Sequence, residues 1–302
     1  MTLVIAIPTN NTGNFTEVPG RSQNAAYVKY VKMCGFTPIL VSMEADPNVI
    51  VNIADGLLLA GGIDVDPIYY GYSNTASLST DPDKDAHERA LLYAFVNSGK
   101  RVFGICRGMQ LIFREVLYEL ERLAHVSSNY FDYIENMAGH GQTSSLHIDR
   151  RHPSHYVSAN MGGLLTLGKN TTPEKLPVNS MHHQVCVFKH GALAVDVMST
   201  KDGEKGKVKI QNIKEPVITK VNLPIGIFQA LAWSLRGVEF PKSDKDYGAY
   251  WSILEAFKIE NKKGCNILAV QWHPEELRTI DLLKNFFTAN NAADTKVANA
   301  VG

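Results

Sequence analysis

Arg101 to Leu111, RVFGICRGMQL, joins an apolar run suited to a buried strand (Val102, Phe103, Ile105) to a helical pattern that starts at once, with Gly104, Cys106 and Gly108 between them. It reads as strand, sharp turn and helix, with a cysteine at the apex. A nucleophile on so tight a turn is held at an unusual backbone angle and tolerates no bulk two residues to either side, a clearance that Gly104 and Gly108 supply. Met109, Ile112, Phe113, Val116, Leu117, Leu120 and Leu123 follow at steps of three and four, so one helix face is apolar and packs on a sheet. The first amides of that helix and its dipole face the sulfur, where they favour a thiolate and can stabilise an oxyanion. A buried structural cysteine is the competing reading, and the rest of the chain has to decide between them.

Outward from this turn, strand and helix alternate through the N-terminal third. Leu3 to Ile7 is a strand, Ser22 to Cys34 a helix closed by Gly35, Phe36 to Val41 a strand and Asn48 to Ala54 a short helix. Gly56 to Ala60 is a third strand and Asp85 to Asn97 a further helix before the cysteine strand. Such alternation predicts a parallel sheet covered on both faces. From His125 to Arg151 no period is sustained, which predicts a long surface excursion. Beyond it Tyr156 to Ala159, Val178 to Val187 and Leu193 to Met198 alternate like strands, some antiparallel, and Lys201 to Lys220 reads as a solvated hairpin or loop. Ile225 to Ser234 and Ile253 to Ile259 are strands around a polar insertion containing Pro241, Asn266 to Trp272 is a strand and Glu276 to Phe287 a helix. With no internal repeat and no linker, residues 1–290 read as one domain and 291–302 as a disordered polar tail.

Charge excludes some partners. Lys plus Arg equals Asp plus Glu at 30 each, so nothing recruits nucleic acid or an anionic membrane. No apolar run is long enough to span a bilayer, and Met1 to Pro8 lacks the basic start and cleavage site of a signal peptide. Cys34, Cys106, Cys186 and Cys265 follow neither metal nor disulfide spacing, which fits a reducing cytosol and makes the triplets at Asn14 and Asn170 chance matches to a glycosylation motif.

A cysteine nucleophile for acyl transfer needs a base and a group that orients the base. Ile267 to Glu276, ILAVQWHPEE, offers His273 at a strand end with Glu275 two residues on, where alternate side chains of an extended chain point the same way and Pro274 ends the ladder. In Leu57 to Gly71, LLLAGGIDVDPIYYG, two glycines after a buried strand let backbone approach a ligand and aim amides at an oxyanion. Val178 to Gln184, VNSMHHQ, brings two histidines together, each also readable as structural.

GICRGMQ, AGGIDVDPIYYG, VNSMHHQ and QWHPE, in this order and at these separations, resemble the class I glutamine amidotransferase-like family, nearest to its gamma-glutamyl hydrolase and gamma-glutamyl-GABA hydrolase branch in peptidase family C26. The resemblance runs from about Val4 to Phe287. It implies a flavodoxin-like α/β fold, a three-layer α/β/α sandwich with a mainly parallel central sheet and extra antiparallel strands. It implies a triad of Cys106, His273 and Glu275, an oxyanion hole from the amides of Arg107 and the Gly61-Gly62 turn, and Gln110 and His182 near the glutamyl group. The implied reaction is hydrolysis of a gamma-glutamyl amide through a glutamyl thioester in the cytoplasm, with no cofactor and no metal. The implied partner is a small-molecule gamma-glutamyl substrate, and a homodimer is one assembly open to the chain. A glutaminase subunit feeding ammonia to a separate synthetase is the second reading, and a non-catalytic gamma-glutamyl-binding protein the third.

The chain departs from the branch at Tyr118 to Leu123, YELERL, where a paired glycine is usual, and in the loops Ser127 to Arg150 and Pro241 to Trp251, which bear on the leaving-group side. Two decoys fall away. Gly163 to Asn170, GLLTLGKN, lacks the hydroxyl a phosphate-cradling loop needs for magnesium, and His140, His147, His152 and His155 follow no ligand spacing.

Overall fold

The structure, a computed structural model, describes residues 2–11, 20–77, 79–124, 131–134, 149–159, 161, 164–165, 174–189, 220–223, 225–235, 251–261 and 266–289. In chain order the elements are β1 (Val4–Pro8), β2 (Asn10–Asn11), β3 (Arg21–Ser22), α1 (Ala25–Met33), β4 (Thr37–Val41), α2 (Pro47–Ile53), β5 (Gly56–Leu59), a 3₁₀ turn (Pro67–Tyr70), α3 (Pro82–Asn97), β6 (Arg101–Ile105) and α4 (Arg107–Ala124). There follow β7 (Phe131–Ile134), β8 (His155–Ala159), β9 (Glu174–Val178), β10 (Val185–Lys189), β11 (Lys220–Leu223), β12 (Gly226–Leu235), β13 (Trp251–Glu260), β14 (Asn266–Val270), α5 (Pro274–Leu277) and α6 (Ile280–Thr288).

Helices begin where the sequence supplies acceptors. The side chains of Asn24, Asp46 and Asp81 accept from Ala26, Asn48 and Lys84 amides, and prolines open α2 and α3, where a missing N–H costs nothing. Gly35, at φ 86°, turns the chain out of α1.

Among the described residues, twelve strands form one sheet whose main path runs β4-β1-β5-β6-β14-β13-β12-β8-β9. The five strands from β4 to β14 are mutually parallel, and every pairing from β13 outward is antiparallel. Alternate residues of the parallel strands feed two cores. Ala6, Leu57, Leu59, Val102, Ile267 and Ala269 pack with residues of α2, α3 and α4. Ile5, Ile7, Leu58, Phe103, Leu268 and Val270 pack with residues of α1 and α6 on the opposite face. The result is the three-layer α/β/α arrangement, with an antiparallel extension on one side.

The C-terminal ends of β1, β5, β6 and β14 lead directly to Asn10, Gly61, Cys106 and His273. All four loops therefore open at one edge of the parallel sheet, where open α/β sheets build their ligand crevices.

Several elements differ from the sequence reading. Val178 to Val187 is two strands, β9 and β10, because Asn179 to Gln184 leaves the ladder to supply buried polar contacts. Glu276 to Phe287 is not one helix. Arg278 takes a left-handed φ of 56°, closing α5 before α6 begins. The last parallel strand stops at Val270, so Glu275 lies in the first turn of α5 and not on a strand. The irregular stretch His125 to Arg151 contains β7, a short strand held by β10. Leu193 to Met198, Lys201 to 219, the Pro241 insertion, His140, His147, Cys265 and the tail lie outside the described residues.

Candidate active site

Cys106 joins β6 to α4 with φ at 51°, a left-handed conformation that non-glycine residues rarely adopt. Its own N–H donates to the Val270 carbonyl at 2.8 Å, and its carbonyl accepts from the Gln110 N–H at 3.1 Å. The turn is thus stapled to β14 on one side and committed to the helix on the other. A methyl at Gly108 would run into the Leu59 backbone, 2.7 Å from its carbonyl carbon, and one at Gly104 would stand 2.7 Å from Ile112 Cδ1. Both glycines are close-approach positions with no left-handed φ.

His273 follows β14 and precedes α5, with Pro274 as the first helical residue. Its Nδ1 donates to Glu275 Oε1 at 2.6 Å, and the ring is 4% exposed. Burial alone lowers a histidine's pKa, but the Glu275 carboxylate and the Cys106 sulfur override it and raise His273 to about 10. The imidazolium therefore persists through neutral pH. Its Nε2 is buried and makes no hydrogen bond of standard geometry. The ring's backbone is fixed from another quarter: Asn179, fully buried, accepts from the His273 N–H at 2.9 Å and donates to the Arg150 carbonyl at 2.8 Å.

Gly61 is where these parts meet. A methyl there would be driven into the Tyr27 hydroxyl and would stand 3.0 Å from His273 Cε1 and 3.4 Å from Cys106 Cβ. Gly61, Gly62, Cys106, Tyr27, Asn10 and His273 line a cavity of about 820 Å³, together with Arg150, Arg151, Met181 and Glu276. The cavity-lining charges are paired: Arg151 with Asp149 at 2.6 Å, and Arg150 with Glu276 at 3.5 Å.

Behind the turn, Arg107 points away from the cavity into a buried ion cluster. It pairs with both Asp85 and Glu88 of α3, and Glu88 also pairs with Lys84, all four side chains being 1% exposed. Asp85 accepts from the Asp66 N–H at 3.0 Å, which ties the loop after Gly62 to the same cluster. Burial pushes the Asp85 carboxyl up and the Lys84 ammonium down. Glu88 stays below its ordinary value because, against burial, the Arg107 and Lys84 charges prevail.

Of the residues singled out in the sequence, the structure brings Cys106, His273, Glu275, Gly61, Gly62 and the start of α4 at Arg107 together. Gln110 and His182 are set back from the cavity wall. Gln110 donates through Nε2 to the Gln184 carbonyl at 3.0 Å, and His182 Nδ1 donates to that carbonyl at 2.9 Å. His183 pairs with Asp64 at 2.9 Å. Tyr27, Asn179, Asn10 and Arg150 were not legible as site residues. Tyr27 reads as one more apolar position of α1, and in VNSMHHQ the two histidines, not Asn179, carried the sequence reading. Among the described residues no group of three or more potential ligands could hold a metal ion, and no helix is long and apolar enough to cross a membrane.

By sequence comparison the chain falls among class I glutamine amidotransferase-like proteins. It belongs to the Peptidase C26 family, whose profile matches residues 3–218. It is 30% identical over 163 residues to "Putative glutamine amidotransferase-like protein YvdE" of Lactococcus lactis, a match covering 53% of this chain and 63% of that relative's length. It is 25% identical over 272 residues to "Putative glutamine amidotransferase-like protein RP404" of Rickettsia prowazekii, covering 87% of this chain and 85% of that one. Among solved structures, a glutaminase domain of Trypanosoma brucei CTPS with bound acivicin aligns over 95% of this chain and 94% of its own at 13% identity, with a TM-score of 0.47.

Proposed function

We propose that the protein hydrolyses a gamma-glutamyl amide, with Cys106 as nucleophile, His273 as acid and base, and Glu275 as the group that orients and charges the imidazole. The observation that carries this reading is the position of Cys106. It sits on a strained turn at the start of a helix, beside a buried imidazole whose far nitrogen is held by a carboxylate at 2.6 Å. The sulfur attacks the side-chain carbonyl, and the developing oxyanion meets the amides of the Gly61-Gly62 turn and of Arg107, the latter having no partner within its helix. His273 gives its proton to the departing amine, leaving a glutamyl thioester. It then takes a proton from the water that cleaves the thioester, releasing glutamate and restoring the Cys106 thiolate and the imidazolium.

A second reading has an observation in its favour, since relatives bear glutamine amidotransferase names. In it the same chemistry releases ammonia from glutamine for a separate synthetase. One experiment separates the readings: glutamate released from a panel of gamma-glutamyl amides, glutamine included, by wild type and by Cys106→Ala. Independent hydrolysis requires turnover of a panel member and a loss of about a thousandfold or more in the variant. Release from glutamine alone, accelerated by a co-purifying protein, selects the ammonia donor. Full activity in Cys106→Ala refutes both.

A further inference from the structure

Tyr27 comes from α1, an element far in sequence from the residues that carry the proposed chemistry, yet its hydroxyl lies inside their cluster. The oxygen is 3.4 Å from His273 Nδ1, the nitrogen that donates to Glu275. It lies against Gly61 so closely that no methyl fits between them. The side chain is 4% exposed, and a buried phenol needs a polar partner. Tyr30, one turn along the same helix face, finds its partner in the Thr279 carbonyl at 2.7 Å, away from the site. For Tyr27 the polar neighbours are His273, Glu275 and the Gly61 backbone. Burial first, then the charges of Glu275 and Cys106, raise its pKa well above 10, so it acts as a neutral hydroxyl.

We propose that Tyr27 is a positioning residue for the His273–Glu275 pair. Its hydroxyl closes the gap between ring, carboxylate and the Gly61 backbone, so that the imidazole and the glycine turn keep one fixed relation to Cys106. The phenol oxygen stands between the Gly61 backbone, the His273 Nδ1 that already donates to Glu275, and the Glu275 carboxylate. Without it Glu275 alone holds the ring, and water enters beside the pair in place of the phenol.

This inference rests on the reading of His273 and Glu275 as a working pair, and the test keeps the two apart. Histidines carrying ¹³C at Cε1 are titrated by NMR in wild type and Tyr27→Phe, with His273 assigned by the signal lost in His273→Gln. His273 of wild type should titrate near 10. In Tyr27→Phe it should titrate at least about half a unit lower, because a looser carboxylate raises it less. Hydrolysis of gamma-glutamyl-p-nitroanilide should fall about tenfold in kcat with KM unchanged. An unmoved titration in Tyr27→Phe overturns the positioning role, whatever happens to rate or melting temperature. Titration of wild-type His273 near 6.5 overturns the pair itself, and the inference with it.

Discussion

At the scale of single residues the site joins two unfavourable states. Cys106 holds a left-handed backbone, which costs a non-glycine residue about 1–3 kcal/mol, and His273 holds a charge out of water. The second is offset by Glu275 and has a signature in pH. His273 binds its proton more tightly in the folded chain, near 10, than at the ordinary value of 6.5. Its contribution to stability is therefore complete below 6.5, shrinks as pH rises through the interval, and is gone above 10. Melting temperature measured from pH 6 to 10.5 should fall across that window. His273→Gln should flatten the fall, and an equal slope in the variant would show that other groups cause it. Glu275 was visible in the sequence as a partner, but for a different geometric reason. The two side chains meet across the first turn of α5, not along a strand.

At the scale of elements, the approach of α4 to the sheet decides where Cys106 sits. Gly108 lets the helix come down onto the end of β5, and any side chain there would push it off the Leu59 backbone. Since the obstacle is main chain, it cannot yield by changing rotamer. Gly108→Ala should destabilise by about 3 kcal/mol, at the upper end for an overpacked core, and reduce turnover as the start of α4 shifts from the Gly61 turn. Chemical denaturation and the glutamate-release assay would check the two effects. Wild-type stability in that variant would mean the helix has room to move. The glycines around Cys106 announced this packing in the sequence. What they did not announce is Tyr27, because a tyrosine at helical spacing looks like core until another element brings a histidine to its hydroxyl.

At the scale of the whole molecule, the site is an edge of the sheet where four strand ends meet, braced from below by the Lys84, Asp85, Glu88 and Arg107 cluster. Two cations and two anions balance in formal charge, and each is buried. Removing one partner therefore leaves an uncompensated charge. Glu88→Gln, which keeps shape and loses charge, should cost about 3 kcal/mol in denaturant unfolding, while a surface pair such as Lys258 with Glu260 should cost under about 1. If both cost the same, the cluster is not the brace described. Because the Glu88 carboxyl sits below its ordinary value, its share of stability is present above about pH 4.5 and is lost as pH falls through the lowered value.

The sequence by itself determined the parallel α/β core, since strand-helix alternation with buried strands has few other solutions. It also determined the turn at Cys106, since only a close approach asks for glycines so placed. It marked His273 and Glu275 because local order put them two residues apart. Only tertiary structure decided that Gln110 and His182 stand behind the wall, and that Asn179 and Tyr27 close around His273 from segments 94 and 246 residues away. The reason is physical: backbone periodicity and turn chemistry act over a few residues and are written locally. A hydroxyl's partner in a buried cluster is fixed by how separate elements pack, which no local pattern records.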